Sequence, residues 1–457
     1  MIRENFMSEC FYKRFFLLYL PVIFVFFFLL CPFSGSCQER RILRDYKTGK
    51  FVKYSAETLD KRVVSLPVKY VEKKGEMRGV WVITAWNLDF PRIRSTKEFC
   101  TSYRKLVQEL KKRKINTVIF QVRPQCDAFY VSKINPWSAF LCGREGIGIP
   151  GFDPMRFMVR ETHRQGLYFH AWLNPYRVRG SITESKEAAL KKLSPLSFAR
   201  RFPDAVLAVP NGKSKILMLD PGHPRTTWHL MESIKEILYK YDVDGIHFDD
   251  YFYPYNGMGN TDVHSWKKYC RNKKISIENW RRNNVDSMIY NVGALIRRHN
   301  HINRKNVLFG VSPFGVWRNK KSDPAGSPTK ALASYDVLFA DSRRWVKGNY
   351  VDYIVPQIYW SFAEPSAPFA CVADFWAETV RGTNVKLYMG LALNKSQAGK
   401  PFWEDPEELK NQLIYSSAMP QTGGYVFFSA KKFLMPDNPL LKKNLAFLFS
   451  LWGVKVK

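Results

Sequence analysis

From Gly79 onward, short apolar runs rich in Val, Ile, Phe and Tyr alternate with longer segments of helical period. The runs occupy 79–84, 117–122, 167–172, 245–249, 307–311, 353–358, 386–390 and 424–428. Continuous apolar runs of this length read as strands buried on both faces, the signature of a parallel sheet covered by helices. Between them, Asp153-Pro154 opens a helix that ends at Gly166, and Asp405-Pro406-Glu407-Glu408 opens another; each carries an acidic N-cap and a first-turn proline. Eight such units without a separate dinucleotide-binding half predict a (β/α)8 TIM barrel, a single catalytic domain over residues 76–451. Pro356 argues against a regular strand in the sixth run and marks a bulge near its end. Residues 173–215 form the largest insertion, placed after strand three, where binding loops belong. Residues 37–75, polar and basic, read as a linker or a strap, and a last helix from Asn438 to Leu451 closes the chain.

The N-terminus follows a different pattern. Lys13 and Arg14 precede an uncharged run, Phe15 to Cys31, which Pro21 interrupts and the small residues of 32–37 follow. This is the pattern of a secretory signal peptide over 1–36, too short for a spanning helix, with an uncleaved anchor as the alternative. Cys37 follows Ser-Gly-Ser and is a candidate lipidation site, although Ser34 stands where a lipoprotein signal has Leu. The expected location is therefore outside the cytoplasm, in the periplasm or as an outer-membrane lipoprotein anchored through Cys37.

Charge sharpens this picture. The chain has 71 Lys+Arg against 40 Asp+Glu, a formal +31. Three bases and two acids lie in the first 36 residues, so +30 belongs to residues 37–457. The bases are scattered in pairs and short clusters, such as 111–114, Lys191-Lys192 and Lys273-Lys274, and describe a solvated basic surface suited to an anionic polymer such as a cell-wall glycan. Nucleic acid is not expected, because the chain is exported and carries no recognisable binding motif. The five cysteines beyond Cys37, at 100, 126, 142, 270 and 371, show no C-x-x-C pair and no histidine spacing for zinc. No metal site or cofactor is therefore expected. Cys126 and Cys142 read either as a disulfide or as buried thiols.

In such a barrel the chemistry sits at the C-terminal strand ends. There the sequence places Trp86-Asn87, Gln121 and Arg123 with Asp127 beyond, Trp172 with Asn174 and Tyr176, His247 with Asp249, Asp250 and Tyr251, Ser312 with Trp317, and Gln357 with Tyr359, Trp360 and Glu364. Period-two alternation turns Gly245, His247 and Asp249 toward the barrel axis, with Ile246 and Phe248 outward and Asp250 at the rim. An ionised carboxylate at Asp249 suits the oxocarbenium-like transition state of glycoside hydrolysis. Asp127, Glu364 and Asp250 are the three candidates for the general acid. The cluster of aromatic residues, Trp86, Trp172, Tyr176, Tyr251, Tyr253, Trp317, Tyr359 and Trp360, favours a carbohydrate groove over simple barrel filling. His170 and His247 read as hydrogen-bonded floor residues.

These segments resemble the glycosyl-hydrolase-like 10 family over roughly residues 75–430. The resemblance is carried by Met77-Arg-Gly-Val-Trp81, 116–123, Asp127-Ala-Phe-Tyr130, Pro136-Trp-Ser138, 170–176, 244–254, 310–315, 340–345 and 352–360. It implies an exported TIM-barrel glycosidase, in a family with members that cleave peptidoglycan glycan strands stripped of their peptides. Gly245-x-His247-x-Asp249 is also similar in spacing to the nucleophile strand of the α-amylase superfamily, with His where that superfamily has Arg and no strand-five Glu near Ser312. The expectation is a hydrolase of an amino-sugar polymer. Asp249 serves as nucleophile or base, and Arg123, Trp172, Asn174, Tyr176, His247, Tyr251, Trp317, Gln357, Tyr359 and Trp360 line the substrate groove. A non-catalytic glycan-binding lipoprotein, or a glycosidase for another exported polysaccharide, are the alternatives.

Overall fold

The computed structural model describes residues 39–271 and 274–455. Residues 1–36, expected to be a signal peptide, and Cys37 lie outside the described residues, as does Lys273. Eight parallel strands close a barrel in sequential order: β1 (Met77–Val82), β2 (Thr117–Arg123), β3 (Tyr168–Leu173), β4 (Gly245–Phe248), β5 (Leu308–Val311), β6 (Tyr353–Ile354), β7 (Lys386–Ala392) and β8 (Thr422–Phe428). β8 pairs with β1 to complete the ring. The chain is thus a (β/α)8 barrel, and all eight apolar runs are its strands.

The differences from expectation have local causes. β6 contains only two residues, because Pro356 has no N–H to donate; the pairing resumes beyond it through a bridge from Gln357 to Gly390. The helix after Asp153 spans Pro154–Arg164, with the Asp153 side chain accepting from Arg156 N. The helix expected from Asp405 begins at Glu408, since Asp405 instead turns the chain by accepting from Glu407 N. The 173–215 region continues to 219 and forms a three-stranded antiparallel sheet, Arg177–Ile182, Val206–Asn211 and Ser214–Leu219. Cys126 and Cys142 form no disulfide; Cys126 packs against His229 and Arg123 instead.

Large rings fill the barrel axis. Trp81, Trp172, Tyr353 and Tyr388 form an interior cluster with Met77, Ile119 and Val426. Two interior positions must be glycine for this packing: a Cβ at Gly310 would overlap the Tyr353 ring, and one at Gly245 would stand 2.7 Å from the His170 ring. Ile246 and Phe248 pack outward into the main core, as alternation requires.

Residues 39–75 lie against the helices Phe369–Val380 and Glu408–Ser417. Arg40–Ile42 pairs with Ser65–Pro67, Tyr54 donates to Asp374 at 2.6 Å, and Arg41 donates to Asn411 at 2.8 Å.

Candidate active site

At the C-terminal strand ends a cleft of about 320 Å³ is lined by residues that include Asp249, Asp250, Trp172, Tyr251, Gln357 and Tyr359. Its floor is the interior cluster. His247 Nε2 accepts from the Trp81 indole N–H at 3.1 Å, and indole only donates, so the proton of His247 sits on Nδ1. That Nδ1 lies 3.0 Å from the Tyr353 hydroxyl, which in turn lies 2.7 Å from His170 Nδ1. Burial pushes His170 down to about 3 and His247 well below the ordinary imidazole range, so both are neutral. They orient the floor and do not titrate near neutrality.

Asp249 is buried and held from one side. Its Oδ2 accepts from Asn174 Nδ2; Asn174 Oδ1 accepts from Gln121 Nε2 at 2.6 Å; Gln121 Oε1 accepts from the Thr84 and Ala85 amides at 3.0 and 2.9 Å. This relay ties the carboxylate through β2 to the loops after β1 and β3. Asp249 Oδ1 is buried and makes no well-formed hydrogen bond, with the Trp172 indole beside the carboxyl. Burial raises the Asp249 pKa to about 6, against the opposing pull of Arg177 and of donors from Tyr251 N and Asn174.

Asp250 occupies the same cleft, not the rim. β4 ends at Phe248, so alternation stops one residue before the pair and the chain turns both carboxyls inward. Asp250 accepts from the Tyr255 hydroxyl. Burial, and then the neighbouring Asp249 charge, raise its pKa to about 7, with a bond to Gln357 opposing. Two neighbouring buried carboxyls, both with raised pKa, thus line one cleft.

The remaining candidates divide. Trp172, Tyr251, Gln357 and Tyr359 line the cleft; Asn174 and His247 support it from behind. Tyr176 lines a smaller pocket next to the cleft. Asp127 does not line the cleft: its Oδ1 accepts from Gln125 N and its Oδ2 is buried and unpartnered, and burial raises its pKa against the opposing pull of Arg179 and Arg123. Arg123, fully buried, donates to the Asn174 carbonyl at 2.7 Å and braces that loop instead of meeting a sugar. Glu364 faces the groove beside residues 43–58 and accepts from Ser366. Trp317 is buried, donating to Asp341 and stacked on Phe375; Trp360 packs edge-on against Phe314. Neither ring lines the cleft.

Besides apolar residues and Trp81, the cleft residues absent from the sequence-based set are Arg177, Tyr255, Asn394 and Lys395. Arg177 directly follows Tyr176 and was legible as a strand-three end residue. Asn394 and Lys395 follow β7, which extends to Ala392, past the apolar run that marked it. Among the described residues no three His, Cys, Asp or Glu side chains converge as a metal site requires.

A family model described as "Glycosyl hydrolase-like 10" matches residues 76–407. The chain is 39% identical to "Glycosyl hydrolase YngK" of Bacillus subtilis (strain 168) over 84% of this chain and 74% of that protein. It is 36% identical to "Glycosyl hydrolase DigH" of Escherichia coli (strain K12), over 85% and 90% of the two chains. Among solved structures it is similar to an α-L-fucosidase, isoenzyme 2, from Paenibacillus thiaminolyticus, with a TM-score of 0.50 and 12% identity, covering 83% of this chain and 50% of that one; this likeness is one of fold. By sequence, then, this chain belongs to the glycosyl hydrolase-like 10 family.

Proposed function

We propose that this chain is an exported glycoside hydrolase that cleaves an amino-sugar polymer, namely the glycan strands of peptidoglycan once their peptides are removed. The observation that carries the reading is the Asp249–Asp250 pair, two buried carboxyls in one cleft with pKa values raised to about 6 and about 7. The relatives named glycosyl hydrolases support the reaction class. The family resemblance and a formal charge of +30 beyond the first 36 residues support an anionic glycan, since stripped strands carry lactyl carboxylates.

The chemistry follows from the two environments. Asp250, the more readily protonated, donates its proton to the glycosidic oxygen as the C–O bond breaks with its electron pair on that oxygen. Asp249, held ionised by Asn174 and facing Arg177, acts on the anomeric carbon as nucleophile or through a water as base. Water supplies the hydroxyl of the new reducing end, and its proton restores the carboxyl.

The test is incubation of the mature chain, and of Asp249→Asn, with intact sacculi and with stripped strands, followed by mass spectrometry. Sugar fragments from stripped strands with the natural chain alone are the expected result. Binding by both proteins with no fragments from either would favour a glycan-binding protein, and no binding by either would refute the polymer.

A further inference from the structure

A second pocket adjoins the cleft. It has a volume of about 150 Å³, the space of about five waters, which is the scale of one pyranose ring. Ile216, Met218 and Pro254 form its apolar side, while Trp86, Arg177 and Tyr251 line both this pocket and the cleft. Whatever fills the pocket therefore lies next to whatever sits over Asp249 and Asp250.

Trp86 is built into this position at a conformational cost. It is 56% exposed, and both it and Asn87 have φ near +50°, a left-handed backbone that non-glycine residues rarely adopt. The surrounding structure enforces it: Asn87 Nδ2 donates to the carbonyls of Phe90 and Phe140 at 3.2 and 2.7 Å, and Asp89 accepts from Ile83 N. A large ring held half in water by a strained, tied-down turn serves little in the core; strain of this kind gathers at ligand sites. The insertion sheet makes room for the ring as well. A Cβ at Gly180 would stand 2.8 Å from Trp86 Cζ2. Arg177 fills the seam, its guanidinium carbon 4.2 Å from the Tyr251 ring centre and 5.7 Å from that of Trp86.

We propose that this pocket is a second sugar subsite, with Trp86 as the wall it shares with the cleft and the platform on which the adjoining unit of the same glycan chain stacks. An aromatic face matches the C–H face of a pyranose, and Arg177 supplies donors to its hydroxyl or carboxylate oxygens. The inference rests on the glycosidase reading and adds a chain-length requirement to it.

The experiment measures kcat/KM on peptide-free amino-sugar oligosaccharides of increasing length. With the natural chain the value rises until the pocket is occupied. Trp86→Ala is expected to lose about tenfold more on the longest substrate than on the shortest cleavable one. Gly180→Ala, which keeps the ring but displaces it, moves in the same direction, and Trp86→Phe retains most of the activity. Equal losses at all lengths, or none, would overturn the subsite while leaving the glycosidase reading intact. If the natural chain cuts no length, the glycosidase reading itself fails, and the subsite with it. Calorimetric binding of the longest oligosaccharide to Asp249→Asn, with and without Trp86→Ala, separates lost affinity from lost turnover.

Discussion

The cleft at the strand ends and the groove beside residues 43–58 each hold a buried carboxyl group whose pKa is raised to neutrality or above. In the cleft it is Asp250, at about 7; in the groove it is Glu408, at about 8. The groove is the larger of the two, about 600 Å³ against about 320 Å³. Yet its acid is committed to structure: Glu408 accepts from Phe362 N at 2.9 Å and Gln412 Nε2 at 2.7 Å, fastening its own helix to the loop after β6. Asp250 instead stands beside a second carboxyl with an unpartnered oxygen, over a floor of neutral histidines and aromatic rings. A raised pKa measures burial; convergence on a partner and open space is what makes a site. Asp127 teaches the same lesson, being as buried as Asp249 and likewise carrying an unpartnered oxygen, but lining no cleft.

Substitution of the paired acids separates the two regions most strongly. Asp249→Asn is expected to lower kcat on stripped strands by about 10³-fold or more with the fold intact by circular dichroism, whereas Glu408→Gln stays within about twofold. Asp250→Asn is expected to lose about 10²-fold or more on natural strands and far less on an aryl glycoside whose leaving group needs no proton, a difference read from the ratio of the two kcat values.

Smaller effects distinguish cleft from groove further. Asn174→Ala removes a donor to ionised Asp249, so its pKa rises; the acid limb of kcat/KM moves to higher pH and kcat falls about tenfold. In the groove the readout is stability. Glu408 has a folded-state pKa above its unfolded value, so its contribution is fully present below about pH 4 and is lost as pH rises through about 8. Glu408→Gln removes that loss and is expected to be more stable than the natural chain at pH 9 by about 1–3 kcal/mol, measured by urea unfolding.

The barrel was legible because parallel strands covered by helices are apolar on both faces; even the shortened β6 announced itself through Pro356. The site was legible only in part. His247 followed from period two, which holds while the strand lasts; β4 ends at Phe248, so the rule does not govern Asp249 and Asp250 and it separated two carboxyls that line one cleft. Proximity to a strand end also suggested Asp127, Glu364, Trp317 and Trp360, whose loops fold them into other contacts. What carries a loop residue into or away from the cleft is tertiary: an amide from Gln125, the Phe375 ring, a hydroxyl from Ser366. Lys395 and Tyr255 went unmarked for the converse reason, since nothing local distinguishes them from surface residues.

The division of labour between Asp249 and Asp250 is read most plainly in the pH dependence of kcat/KM on stripped strands. With Asp249 ionised above about 6 and Asp250 protonated below about 7, the two acids acting as a coupled pair, the expected profile is a narrow bell with its maximum between those values, and Asp250→Asn abolishes its alkaline limb. A broad profile, unaltered in Asp250→Asn, would contradict the assignment of the pair.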